Sequence, residues 1–246
     1  MTAGGIGPDP DEPGVAAIRV GGLVPFSTTD WPGRLAAVVF VQGCPWRCGY
    51  CHNPHLLPAE GPVAEPWEDV LAWLDTRRGL LDAVVFSGGE PTAAAALPAA
   101  IRAVRDRGFA IGLHTGGAYP RRLATVVHQL DWVGLDIKAP AAEYINVTAV
   151  SASGIPAFAS LDLVRRSGVP FEVRTTVHPA LTPADSLLRL ADELAGLGIL
   201  RWVLQPFRTV GCTDREVVAA APHGAVIAPD LLARLRAVVP GVVVRG

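Results

Sequence analysis

Short apolar runs alternate with longer amphipathic stretches along most of the chain, and that alternation predicts its architecture. The runs Leu35–Gln42, Ala83–Ser87, Ala110–Thr115, Trp132–Ile137, Phe171–Val177 and Arg201–Gln205 are rich in Val, Ile, Leu and Phe. Nearly continuous apolar runs of this length suit parallel strands covered on both faces. Between them, Pro66–Arg78 carries Trp67, Val70, Leu71 and Leu74 at helical spacing, and Gly79 closes it. Further helices are predicted over Ala93–Arg107, Arg121–Leu130, Pro156–Arg166, Pro183–Leu197 and Asp230–Val238, with Thr182 as the N-cap of the fifth. Six strand-then-helix units specify an α/β fold around parallel strands. Eight such units close a barrel in about 250 residues, so six predict a partial (β/α)6 barrel.

Composition narrows the class. The chain has 246 residues, half of them apolar, and a formal charge of −2. That length buries a full core. The Gly/Pro/Asp/Glu-rich Gly4–Gly14 stretch reads as part of a flexible tail over residues 1–14, leaving 15–246 as a single domain. A near-neutral balance predicts no nucleic-acid partner. The longest unbroken apolar run, Leu35–Val41, is too short to span a bilayer, and no basic-then-apolar leader precedes it. A cytoplasmic protein without membrane attachment is the expectation.

Two residue types are distributed unevenly. Three of the four cysteines fall within eight residues, a spacing that suits metal or redox chemistry better than a disulfide framework. Lys138 is the sole lysine among 21 basic residues, which suggests that this position needs a compact ammonium rather than a guanidinium. Residues able to do chemistry also gather at strand ends. Cys44 follows the first predicted strand, Gly88-Gly89-Glu90 the second and His114-Thr115 the third; Asp136 and Lys138 end the fourth, Arg174 lies in the fifth and Gln205 ends the sixth. In strand–helix barrels the carboxyl ends of the strands form the active face.

The segment Gln42–Asn53 holds Cys44, Cys48 and Cys51 as C-x3-C-x2-C. Three thiolates on one tight loop can hold three irons of a 4Fe–4S cubane and leave the fourth iron for a small molecule. The same three with His52 could instead form a closed tetrahedral zinc site. Asp136 and Lys138 fall on one side of an extended segment, either as a ligand pair or as a plain ion pair. Arg174, inside an apolar strand, requires an anionic partner. Cys212 is isolated and receives no role. The doublets Arg77-Arg78, Arg121-Arg122 and Arg165-Arg166 read as helix-end charges.

C-x3-C-x-aromatic-C after the first strand with Gly-Gly-Glu-Pro after the second resembles the radical S-adenosylmethionine superfamily. The resemblance implies a 4Fe–4S cluster held by Cys44, Cys48 and Cys51, with S-adenosylmethionine chelating the spare iron. It implies that Tyr50 lies against the adenine, Gly88, Gly89 and Glu90 bind the amino group, and Asp136 and Lys138 meet the methionine end. Arg174 and His114 would touch carboxylate or ribose; Thr115, Asn53 and Gln205 complete the cofactor wall. Reductive cleavage would give a 5′-deoxyadenosyl radical, with flavodoxin or ferredoxin as electron donor. Within the superfamily, Leu23–Arg34, Cys51–Pro54 and Val173–Pro179 are similar to glycyl-radical enzyme activating proteins. They are nearest those of anaerobic ribonucleoside-triphosphate reductase, of the longer type, which implies an oxidoreductase acting on a glycine of that partner. His114 stands where pyruvate formate-lyase activases carry an aspartate of a cation site. A pyruvate formate-lyase-type activase, a deazapurine-synthase-like enzyme and a zinc module are the other readings.

Overall fold

The fold is known from a computed structural model that describes residues 18–245. The expected tail over residues 1–14 lies outside the described residues. Eight strands form one sheet in chain order: β1 Val20–Ser27, β2 Ala36–Val41, β3 Ala83–Gly88, β4 Ala110–Thr115, β5 Trp132–Asp136, β6 Phe171–Val177, β7 Arg201–Pro206 and β8 Gly241–Val244. The six expected strands are β2 to β7, and they pair in parallel. β8 adds a seventh parallel strand, and β1 pairs antiparallel with β2 across two register shifts. With β1 and β8 at opposite edges, the strands form an incomplete barrel.

The two added strands escaped the pattern for a local reason. β1 contains Gly21, Gly22 and Pro25, residues that weaken a strand interior and are tolerated at an edge. β8 has only four residues, too few for a periodic signal.

Eight helices cover the outside: α1 Trp67–Asp75, α2 Leu97–Arg105, α3 Pro120–Val126, α4 Tyr144–Thr148, α5 Gly154–Ser167, α6 Ala184–Gly196, α7 Arg215–Ala220 and α8 Pro229–Val238. Three corrections follow. The Ala93–Ala96 run is not helical beyond a 3-10 turn at Pro91–Ala93, and α2 begins only at Leu97. Thr182 does not cap α6, whose N-cap is Pro183. Its hydroxyl instead accepts from the His178 N–H at 2.7 Å, closing the loop after β6. The end of α3 tightens into a 3-10 turn at Val127–Gln129.

Two apolar clusters divide the interior. The larger lies between sheet and helices and includes Val39, Val84, Phe86, Leu113 and Leu135 with Leu74, Ile101, Leu161 and Leu190. The smaller fills the inside of the barrel and consists of Trp31, Ala36, Val38, Ala83, Val85 and Trp132, with Phe40 and Ala110 against it. Alternation along each strand then fixes what stands above. From Val85 the inward row rises to Ser87, from Ala110 through Gly112 to His114, and from Trp132 through Gly134 to Asp136. The barrel is apolar below and polar at its carboxyl end.

Candidate active site

A cavity of about 670 Å³ occupies that end, lined by side chains from most of the strands and by the cysteine loop. Every residue assigned to the cluster or the cofactor borders it: Cys44, Cys48, Tyr50, Cys51, Asn53, Gly88, Gly89, Glu90, His114, Thr115, Asp136, Lys138, Arg174 and Gln205. Their parts differ once their bonds are followed.

The cysteine loop is fastened on four sides by its backbone. The Gly43 and Cys44 N–H groups donate to the carbonyls of Leu56 and Leu57 at 2.8 and 3.1 Å. Those of Arg47 and Gly49 donate to Thr148 and Val147 at the end of α4, at 2.9 and 3.1 Å. The Gly43 carbonyl accepts from the Glu90 N–H at 2.8 Å, and Cys212 Sγ lies 3.5 Å from the Gly49 carbonyl. Gln42, which the sequence left unremarked, braces the return of the loop by donating through Nε2 to the His55 and Pro58 carbonyls at 3.1 and 2.8 Å. Amides also point at sulfur, from Trp46 to Cys44 and from Asn53 to Cys51. They favour thiolate, yet burial dominates: it pushes Cys44 up to about 12 and raises Cys48 and Cys51. Binding a metal there therefore displaces protons.

The Gly-Gly-Glu segment is the loop's buttress. Gly88 has φ +109°, and a Cβ there would meet the Val41 backbone at 2.5 Å. A Cβ on Gly89 would come 2.3 Å from the Gly43 carbonyl oxygen. Only glycine lets these two backbones touch. The carboxylate of Glu90 is spent within the protein: Oε1 accepts from the Thr92 N–H and hydroxyl and from the Thr115 hydroxyl, and Oε2 from the Gly116 N–H at 2.9 Å. Glu90 and Thr115 thus lock the ends of β3 and β4 together. Contact with a ligand at this point falls to the backbone.

The opposite wall is a charged row. Arg174 bonds Asp136 at 3.0 Å, so the anionic partner required by its burial comes from the protein. Gly134 makes the room, since a Cβ there would lie 2.8 Å from the guanidinium carbon. Asp136 also meets Lys138 Nζ at 3.5 Å, as the sequence spacing anticipated. Burial opposes the charge of Asp136, but Arg174 and Lys138 outweigh it and hold the carboxyl below its ordinary value. Burial likewise opposes the Lys138 ammonium, and Asp136 keeps it well above its ordinary value. His114 is driven down to about 3 by burial and by Arg174, and so is neutral. Its Nε2 lies 2.7 Å from the Asp30 carbonyl and its Nδ1 3.3 Å from Ser87 Oγ. Both ring nitrogens are committed to the protein, so His114 joins the β1–β2 turn to the barrel wall rather than presenting a free nitrogen to ribose.

The donor set suits an iron–sulfur cluster. His52, the fourth ligand of the zinc reading, turns its Nε2 to the Arg208 carbonyl at 2.9 Å and stacks on Phe207. Among the described residues, no three His, Cys, Asp or Glu side chains converge on a single ion. A cubane places each thiolate on a different iron and needs no such convergence. Tyr50 Oη is buried without a hydrogen-bond partner among the described residues, and the Lys138 ammonium has one long bond. Polar groups left wanting beside a cavity are what an additional ligand would complete.

Comparison with known proteins agrees with this geometry. Residues 38–194 match the Radical SAM superfamily. A protein of Methanocaldococcus jannaschii named for glycyl-radical enzyme activation is 27% identical over 204 residues, covering 80% of this chain and 83% of its own. The pyruvate formate-lyase-activating enzyme of Streptococcus mutans is 30% identical over 214 residues, covering 78% and 80%. The fold is shared with Streptococcus suis SuiB bound to its precursor peptide SuiA, at a TM-score of 0.61 and 14% identity, over 82% of this chain and 46% of that one. The chain belongs to the radical S-adenosylmethionine superfamily, with a 4Fe–4S cluster and S-adenosylmethionine as its cofactors.

Proposed function

We propose that this enzyme activates a glycyl-radical enzyme by removing a hydrogen atom from one of its glycines, and that the partner is an anaerobic ribonucleotide reductase. The activase reading is carried by similarity to activating enzymes along about four-fifths of the chain. The choice of partner rests on the segments Leu23–Arg34, Cys51–Pro54 and Val173–Pro179 together; of the first, Thr29 and Asp30 border the cavity. A pyruvate formate-lyase-type partner is the second reading, favoured by the name of the Streptococcus mutans relative.

Cys44, Cys48 and Cys51, which border the cavity together, would hold the cluster. The chemistry supplied there would be one-electron reduction of S-adenosylmethionine, the source of the radical. Tyr50 and Asn53 flank the cofactor from the loop side, and Gly88 and Gly89 offer backbone from the strap. Glu90, His114 and Thr115 hold the walls in place. Asp136, Lys138 and Arg174 form the charged wall facing the amino-acid end, with Gln205 at the far strand. Flavodoxin or ferredoxin delivers the electron.

Anaerobic reconstitution tests the cluster first: about four irons and four sulfides per chain are expected in the wild type. Cys44→Ala, Cys48→Ala and Cys51→Ala should each lose cofactor cleavage. Incubation of the reduced protein with S-adenosylmethionine and each candidate partner should then give a glycyl-radical doublet by EPR. Deoxyadenosine release with no doublet on either partner would overturn the activase reading and leave a radical enzyme acting on a small molecule.

A further inference from the structure

Two features of Lys138 are left over once it is granted a place beside the cofactor. The first is where its ammonium rests. Nζ lies 5.9 Å from the ring centroid of Trp46 and 5.9 Å from that of Tyr50. Both rings belong to the cysteine loop itself, Trp46 two residues after Cys44 and Tyr50 immediately before Cys51. An ammonium over two ring faces in a desolvated place is attracted to both. The second is how weakly its charge is paired. Asp136 answers Arg174 at 3.0 Å and Lys138 at only 3.5 Å, so two buried cations share one carboxylate. Glu90, buried in the strap, keeps its charge among neutral donors there. His114 brings no charge, and Arg245 at the far edge is paired with Glu172. Of the two cations Lys138 is the more weakly answered, and its ammonium lies on the side of the cysteine loop.

We infer that Lys138 acts on the cluster as well as on the cofactor: its ammonium, gripped by the two aromatic rings of the cysteine loop, is a fixed positive charge that raises the cluster's reduction potential. One-electron reduction adds a negative charge to the cluster, and a nearby buried cation favours the reduced form. Lys138 is in this respect a positioning and tuning residue.

The inference rests on the proposed cluster, and the experiment separates the two. Wild type, Lys138→Met and Lys138→Arg are reconstituted anaerobically without S-adenosylmethionine. Iron and sulfide are then counted, and each cluster is titrated with dithionite against redox dyes. The expected result is equal iron in all three, a lower potential in Lys138→Met and a potential near wild type in Lys138→Arg. Loss of iron in Lys138→Met alone overturns the inference, because the lysine then serves to hold the site together rather than to tune it. Coincident wild-type and Met potentials, matching shifts in both variants, or loss of iron in both overturn it while the cluster reading stands. Absence of iron from the wild type overturns the cluster reading and this inference together.

Discussion

His114 shows how one side chain can be legible by position and misread by role. Its place at the end of β4 marks it as a wall residue, but the partners that fix its state are distant: Asp30 is 84 residues away and Arg174 is 60. Because Arg174 and burial hold it to about 3, the folded protein resists a proton that the unfolded chain accepts near 6.5. The unfolded state therefore binds more protons as pH falls from about 6.5 toward 3, and stability is lost over that window. Above it the contribution is intact. The urea midpoint should accordingly fall between pH 7 and pH 4, and His114→Gln should flatten that fall. His52, also lowered by burial, acts with the same sign, so the flattening is partial. Asp136 adds its own loss only below its ordinary value of 3.8. Parallel midpoint curves for wild type and His114→Gln would show that the imidazole titrates freely in the folded state.

At the scale of elements, the cavity depends on two loops whose backbones touch, and the glycines at the contact are its most sensitive points. Gly89→Ala drives a Cβ into the Gly43 carbonyl at 2.3 Å, against backbone that cannot rotate away. Overpacking of this kind costs about 1–3 kcal/mol. It also parts the strap from the cysteine loop, so iron retention should drop by more than the stability loss alone explains. Gly196→Ala is the control: its Cβ meets nothing within 4 Å, and the exchange should stabilise α6 by about 0.4–1 kcal/mol. Thermal melts with iron counts check both. These loops were readable in sequence because their signals are short-range: three cysteines within eight residues, two glycines and an acid beside one another. The six central strands were readable because burial on both faces makes them apolar throughout. What holds the loops was not readable. Gln42 reaches His55 and Pro58, α4 offers the Thr148 carbonyl to Arg47, and Cys212 lies against Gly49 across 163 residues. Backbone carbonyls and long-range pairings leave no mark on composition or periodicity. Glu90 was legible as important, but its four internal donors were hidden for the same reason.

For the molecule as a whole, an incomplete barrel must fill its lower interior with few side chains, and two tryptophans carry most of that volume. Trp31, on the turn between β1 and β2, stacks on Trp132 at 5.6 Å and 17°. Alanines, valines and Phe40 pack with them, and His114 lies edge-on to Trp132. The small interior contrasts with the larger cluster under the helices, so the inner one has little reserve when a member is lost. Trp31→Ala removes a whole indole from a place that the rigid sheet cannot close around. Large-to-small changes of this kind cost about 3–5 kcal/mol. The Trp31 turn also holds Asp30, whose carbonyl receives His114, so the loss reaches the cavity's charged wall as well. The cysteine loop is braced separately, by Leu56, Leu57, α4 and the Gly-Gly-Glu strap. Trp31→Ala should therefore melt well below wild type and bind S-adenosylmethionine more weakly, while keeping its full iron complement at temperatures where it remains folded. Trp31→Phe, which keeps a ring against Trp132, should recover most of the stability. If Trp31→Ala instead costs less than about 1 kcal/mol by urea titration, the tryptophan pair does not plug the barrel, and the division into an apolar floor and a charged mouth loses its lower half.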